Sequence, residues 1–147
     1  MAKRTKINIQ EHSAMGSDLP KTLYLRGKVF SGKSEGEKFI RLPWVKEQIA
    51  KKIGFIPYPG TLNIKLEETS AKLQLLKKTK ALEISPAAGF CRGKCLKAYL
   101  IDNVECAIVI PEIANYPEDV LEVIAPINLR DKLSLKNGDT VEIKITF

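Results

Sequence analysis

From residue 22 onward this chain alternates apolar and polar residues with a period of two, and turn residues interrupt the alternation at short intervals. Residues 22–30 read TLYLRGKVF: Leu23, Leu25, Gly27 and Val29 fall on one side, and Tyr24, Arg26, Lys28 and Phe30 on the other. Successive side chains of a strand point to opposite faces, so this is a half-buried strand. Comparable segments occur at 61–66 (TLNIKL), near 81–84, 96–101 and 105–110, and at 140–147 (TVEIKITF), where Val141, Ile143, Ile145 and Phe147 face inward. Residues 121–124 form another apolar stretch, ended by Ala125-Pro126. Asp102-Asn103 is a hairpin turn, and Asn137-Gly138-Asp139 is a tight turn before the last strand. Many short strands leave many exposed edges, and closing the sheet removes them. The expected fold class is mainly β: a small closed barrel with one or two short helices.

Helical spacing is clear in one place. Pro43 suits the first position of a helix, where a backbone N–H has no partner to lose. Val45, Ile49 and Ile53 then recur on one face, with Lys46, Glu47, Lys51 and Lys52 on the wet side, and Gly54 stops the helix. Before it, SGKSEGE (31–37) reads as a loop, and Lys38-Phe39-Ile40-Arg41-Leu42 as a short strand closing a hairpin over it. Pro57-Tyr58-Pro59-Gly60 is a turn, residues 70–78 fit a second short helix, and 128–133 fit a helical turn. Residues 1–20 are polar and aperiodic, so a flexible N-terminal extension is expected, with 21–147 as a single barrel domain.

Composition narrows the function classes. The chain has 147 residues and a net charge of +7, which favours a polyanionic partner, either a nucleotide phosphate or a nucleic acid. No apolar run approaches the roughly 20 residues that span a bilayer. The basic start, Met1-Ala2-Lys3-Arg4, is followed by no apolar signal-peptide core, so the expected location is the cytoplasm with no membrane partner. The three cysteines, Cys91, Cys95 and Cys106, are too few and odd in number for a disulfide framework. The only histidine, His12, is remote from the Cys91/Cys95 pair, which argues against zinc. Cys106 lies in an apolar run and reads as core packing.

Four segments carry candidate chemistry. Gly27-Lys28-Val29-Phe30-Ser31-Gly32-Lys33-Ser34 satisfies the P-loop expression G-x-x-x-x-G-K-[ST]. That motif needs a strand, a phosphate-wrapping loop and then a helix. Here Lys28-Val29-Phe30 continues strand alternation, and Pro43 leaves no room for the helix, so a P-loop NTPase is disfavoured. The glycines of Gly32-Lys33-Ser34-Glu35-Gly36 still allow loop amides to approach a phosphate, although an ordinary hairpin loop reads the same way. Thr61 and Asn63 share one face, opposite the core-facing Leu62, Ile64 and Leu66. A hydroxyl and an amide oxygen so placed can coordinate a hard cation such as Mg²⁺; a surface pair near a turn has the same spacing. Glu122, between Leu121 and Val123, is either a partly buried carboxylate able to act as a base or a solvent-facing strand residue. Asn128, Arg130 and Asp131 follow Pro126 in a turn that could grip a nucleotide.

Taken in order, these pieces resemble the archaeal CTP-dependent riboflavin kinase family. The resemblance runs through Ser31-Gly32-x-x-Glu35-Gly36, Leu42-Pro43, Gly54-Phe55-x-Pro57-Tyr58-x-Gly60-Thr61-Leu62-Asn63, Glu122-Val123-Ile124-Ala125-Pro126-x-x-Leu129-Arg130 and Gly138-Asp139. It covers about residues 22–147. It implies a cradle-loop β-barrel of the six-stranded type. It also implies transfer of the γ-phosphoryl of CTP to the ribityl 5′-hydroxyl of riboflavin, giving CDP and FMN.

By the same resemblance, Gly32, Lys33, Ser34, Glu35, Gly36 and Glu37 lie along the nucleotide, which Ile127, Asn128, Leu129 and Arg130 also contact. Thr61 and Asn63 hold Mg²⁺, and Glu122 lines the flavin site as the candidate base or hydroxyl-orienting group. Two positions depart from the family pattern. Ser34 replaces the middle glycine of a usual Gly-x-Gly-Glu-Gly, and Ala114 stands where a threonine often meets the flavin, leaving it a backbone or apolar contact. Asp131 could accept a hydrogen bond from the cytosine amino group. The expected partners are riboflavin/FMN and CTP/CDP, with the protein a monomer. The rival reading is a non-catalytic nucleic-acid-binding barrel, against which stands the lack of an ordered stripe of Arg and aromatic residues.

Overall fold

Strand alternation becomes strand pairing in the computed structural model, which describes residues 22–32, 38, 40–68, 82–84, 93–112 and 115–146. The elements, in chain order, are β1 (Thr22–Phe30), α1 (Pro43–Lys52), β2 (Leu62–Leu66), β3 (Leu82–Ile84), β4 (Gly93–Leu100), β5 (Val104–Pro111), β6 (Val120–Ile124), α2 (Leu129–Leu133) and β7 (Thr140–Thr146). A single 3-10 turn, Ile101–Asn103, links β4 to β5 and places Asn103 at φ 60°, a left-handed conformation that Asn tolerates better than most residues.

The strands run β4-β5-β6-β2-β1-β7, every pair antiparallel. Pairing of Ala98 with Ile145 and Tyr99 with Lys144 joins β7 back to β4 and closes a six-stranded barrel. The short β3 adds to the other end of β4. The inward residues of β1 and β7 are those that alternation assigns: Leu23, Leu25, Val29, Val141, Ile143 and Ile145 are all buried in the barrel core with Ile64, Ile108 and Val123. Phe147 lies outside the described residues.

A second, smaller core sits on the barrel's outer face. Val45 and Ile49 of α1 pack with Ile40, Ile53 and Phe55 against Cys95, Ala107, Val109 and Ile124 of β4, β5 and β6. β6 is therefore covered on both sides. Leu121 and Val123 point into the barrel, while Ile124 faces the helix. This double covering buries Glu122, which stands on the outer face of the same strand.

One sequence expectation changes and another holds. The strand expected at 38–42 is not formed by the described residues there: Lys38 and Ile40 are helical, and Arg41 and Leu42 form the turn that leads into α1, while Phe39 lies outside the described residues. β1 already has β2 on one side and β7 on the other, so it has no free edge for a hairpin partner. Ile40 instead completes the outer core. Gly27 to Phe30 lie inside β1, paired with Leu66 to Asn63, and so do not form a phosphate loop. A side chain at Gly27 would put its Cβ 2.4 Å from the Lys65 carbonyl oxygen, so glycine here serves close strand approach. The helix expected near 70–78, the extension at 1–20 and Cys91 lie outside the described residues.

Candidate active site

Register creates the site. Antiparallel pairing of β2 with β6 sets Asn63 directly opposite Glu122 on the outer face. Among the described residues these are the only buried polar or charged side chains, at 5% and 2% exposure. Burying a carboxylate is costly unless hydrogen bonds replace its water. Three do so here. Thr61 donates its hydroxyl to Glu122 Oε1 at 2.9 Å, and Tyr116 donates to Oε2 at 2.7 Å. The neighbours of Asn63 fix its amide orientation: Nδ2 donates to Glu122 Oε1 at 3.3 Å, and Oδ1 accepts from the Gly32 N–H at 3.1 Å. These bonds tie Thr61, Tyr116, Asn63 and, through Asn63, Gly32 to one buried carboxyl group.

Each member is brought in by a different piece of chain. Thr61 precedes β2, and Gly32 follows β1. Tyr116 sits in the β5–β6 connection, whose end is fastened by the Leu66 N–H donating to the Asp119 carbonyl at 2.7 Å. Gly32 is close-packed: a Cβ there would lie 2.9 Å from the Phe30 ring and 3.2 Å from a terminal atom of the Asn63 amide.

Thr61 also faces outward. It lines a cleft of about 170 Å³ together with Tyr58, Pro59, Gly60, Leu62, Val123, Ala125 and Ile127 to Arg130. α2 forms one wall. Asn128 caps it by accepting from the Asp131 N–H at 3.2 Å, and its Nδ2 donates to the Tyr58 hydroxyl at 3.2 Å. Arg130 reaches back across the barrel end. Its Nη2 donates to the Phe30 carbonyl at 3.3 Å and to Asn137 Oδ1 at 2.9 Å, and Asn137 in turn donates to the Ser31 hydroxyl at 3.1 Å. A guanidinium carries five N–H donors, so this anchoring leaves capacity for an anion.

Of the residues singled out in the sequence, Gly32, Thr61, Asn63 and Glu122 come together in one hydrogen-bonded cluster. Ile127, Asn128, Leu129 and Arg130 line the adjoining cleft. Lys33, Ser34, Glu35, Gly36, Glu37 and Ala114 lie outside the described residues. Asp131 is exposed and does not line the cleft; its backbone N–H is taken up in the cap. Tyr116 and Tyr58 were not anticipated. Tyr116 belongs to an aperiodic connection, and its bond to Glu122 has no signature in residue spacing.

Most of the chain matches a known family. Residues 29–145 match the family model for the CTP-dependent riboflavin kinase domain, also described as domain of unknown function DUF120. The chain belongs to this family. Among its curated relatives is a riboflavin kinase of Methanosarcina barkeri, 41% identical over 128 residues, which are 84% of this chain and 56% of that protein. A riboflavin kinase of Archaeoglobus fulgidus is 40% identical over 129 residues (84% and 55%), and one of Pyrobaculum aerophilum is 42% identical over 134 residues (84% and 61%). The chain thus spans a little over half the length of these relatives. No helix among the described residues is long and apolar enough to cross a membrane.

Proposed function

We propose that this chain phosphorylates riboflavin to FMN with CTP as donor. One observation carries the reading: Thr61 belongs at once to the buried Glu122 cluster and to the cleft lined by Ile127 to Arg130. A group that activates a hydroxyl and a groove that receives a nucleotide are then adjacent, as transfer between two substrates requires. Membership of the CTP-dependent riboflavin kinase domain family supports riboflavin and CTP as the two substrates.

Phosphoryl transfer asks a protein chiefly for in-line positioning and neutralisation of developing charge. In this reading Arg130, tethered at Nη2, offers its other donors to phosphate oxygens. Glu122, held by Thr61, Asn63 and Tyr116, is in this reading the group that orients the ribityl hydroxyl towards the phosphorus and accepts its proton.

The donor set suits Mg²⁺. The Thr61 hydroxyl spends its proton on Glu122 and keeps lone pairs, and Asn63 Oδ1 accepts one bond and retains a second lone pair. Two neutral hard oxygens beside a carboxylate fit a cation that takes its other ligands from phosphates and water. Bound there, it would neutralise phosphate charge. Among the described residues no three His, Cys, Asp or Glu side chains gather to offer a different metal site.

The test is to incubate the chain with riboflavin, Mg²⁺ and each nucleoside triphosphate in turn, and to separate FMN from riboflavin by chromatography. FMN should form far faster with CTP than with ATP. No FMN with any donor would reject the kinase reading, and equal rates with ATP and CTP would reject the donor preference alone.

A further inference from the structure

Tyr58 is an exposed aromatic residue in a turn, at 41% exposure, yet it is held at two points. Its backbone N–H donates to the Ala125 carbonyl at 2.7 Å. Its hydroxyl accepts from Asn128 Nδ2 at 3.2 Å, which ties it to the capped start of α2. Its ring edge also lies near Gly60, where a Cβ would come 3.8 Å from the ring. A solvated tyrosine in a turn needs none of this. Fixing an aromatic ring in advance, on the wall of a cleft, lowers the entropy cost of binding a flat ligand against it.

Size and surroundings select the ligand. The cleft measures about 170 Å³, below the ~300–1,000 Å³ of pockets that enclose drug-sized ligands. It suits a single heterocyclic ring rather than the three fused rings of a flavin. Arg130 lies on the same cleft and would meet phosphates.

We propose that the Tyr58 ring is the platform on which the pyrimidine base of the nucleotide stacks. This rests on reading the cleft as the nucleotide site. Asn128 is a positioning residue in this arrangement: through Nδ2 it sets the ring's attitude. Stacking is tolerant of base identity, so Tyr58 supplies affinity for a base rather than the choice of cytosine.

The experiment measures CDP binding by titration calorimetry to the wild type, Tyr58→Ala and Tyr58→Phe. Riboflavin binding is followed by fluorescence quenching, and inorganic tripolyphosphate serves as a probe without a base. Tyr58→Ala should weaken CDP by about tenfold or more, the scale of one lost base–aromatic stack. Tyr58→Phe keeps the ring and should stay within about threefold, the scale of one neutral hydrogen bond. Riboflavin and tripolyphosphate affinities should not move. Unchanged CDP affinity in Tyr58→Ala would overturn the proposal, as would a fall in riboflavin affinity in place of CDP. An equal fall in tripolyphosphate affinity would also overturn it, because the ring would then only support the cleft. If the wild type bound tripolyphosphate and riboflavin but not CDP, the nucleotide reading itself would fail, a result distinct from any of these.

Discussion

Glu122 should reveal whether the buried cluster is real, through a contrast between two substitutions. Glu122→Ala removes the acceptor for Thr61, Asn63 and Tyr116 together. Thr61 and Tyr116 are half-buried and can turn to water, but Asn63 is only 5% exposed and is left with an unpaired amide donor. An orphaned buried donor costs about 1–3 kcal/mol, and the one lost methylene about 0.8 kcal/mol. Relief of carboxylate burial offsets part of this. A net loss of about 1.5–3 kcal/mol follows. Glu122→Gln keeps the shape: its amide oxygen can face Thr61 and Asn63, and its NH₂ can donate to the Tyr116 hydroxyl, which turns to accept. Its cost should stay near 1 kcal/mol, while FMN formation falls about hundredfold or more with the loss of the carboxylate. Urea unfolding followed by circular dichroism gives both stabilities, and initial rates give the activity. The reasoning is refuted if Glu122→Ala costs no more than Glu122→Gln, or if Glu122→Gln is as active as the wild type.

Three further outcomes follow from particular residues. Gly32→Ala should fold with a loss near 1 kcal/mol, because the Phe30 ring can shift but the Asn63 amide is pinned by Glu122; FMN formation should fall further than stability does, on comparing rates with urea midpoints. Asn63→Ala should lower kcat/KM at least about tenfold more than Lys33→Ala, a difference of about 1.4 kcal/mol; a dead Lys33 variant beside a near-normal Asn63 variant would reinstate a phosphate-loop lysine. Burial pushes the thiols of Cys95 and Cys106 from 9.0 up to about 12. Their folded pKa exceeds the unfolded one, so their contribution to stability is full below about pH 9 and is lost as pH rises towards 12. The double Cys→Ala variant should show a shallower alkaline loss of stability than the wild type in urea melts.

The barrel was legible where period and punctuation agree. β1 and β7 alternate cleanly along their whole length, and Pro43 and Gly54 bracket α1 at helical spacing. Residues 38–42 misled because a short apolar–polar run carries no statement of which strand edges are already taken. The site was legible by residue type and only partly by geometry. Alternation put Thr61 and Asn63 on the outer face of β2, but that face reads as solvent until the Asn63–Glu122 register is known. Register between β2 and β6 depends on distant segments, and local pattern does not encode it. The contacts that complete the cluster, from Tyr116 and Gly32, come from connections without a period. The cleft wall at Tyr58 depends on an Asn128 side chain seventy residues away, a distance that no local signal bridges.

The central claim is that one phosphoryl group passes directly from CTP to riboflavin on this chain. Riboflavin and CTP labelled in its γ-phosphate should be incubated with the purified chain and Mg²⁺, and the flavin fraction then isolated and counted. The account predicts that the label appears in FMN in one-to-one ratio with the CDP formed. CTP hydrolysed with the label left entirely in inorganic phosphate, and riboflavin unchanged, would contradict it.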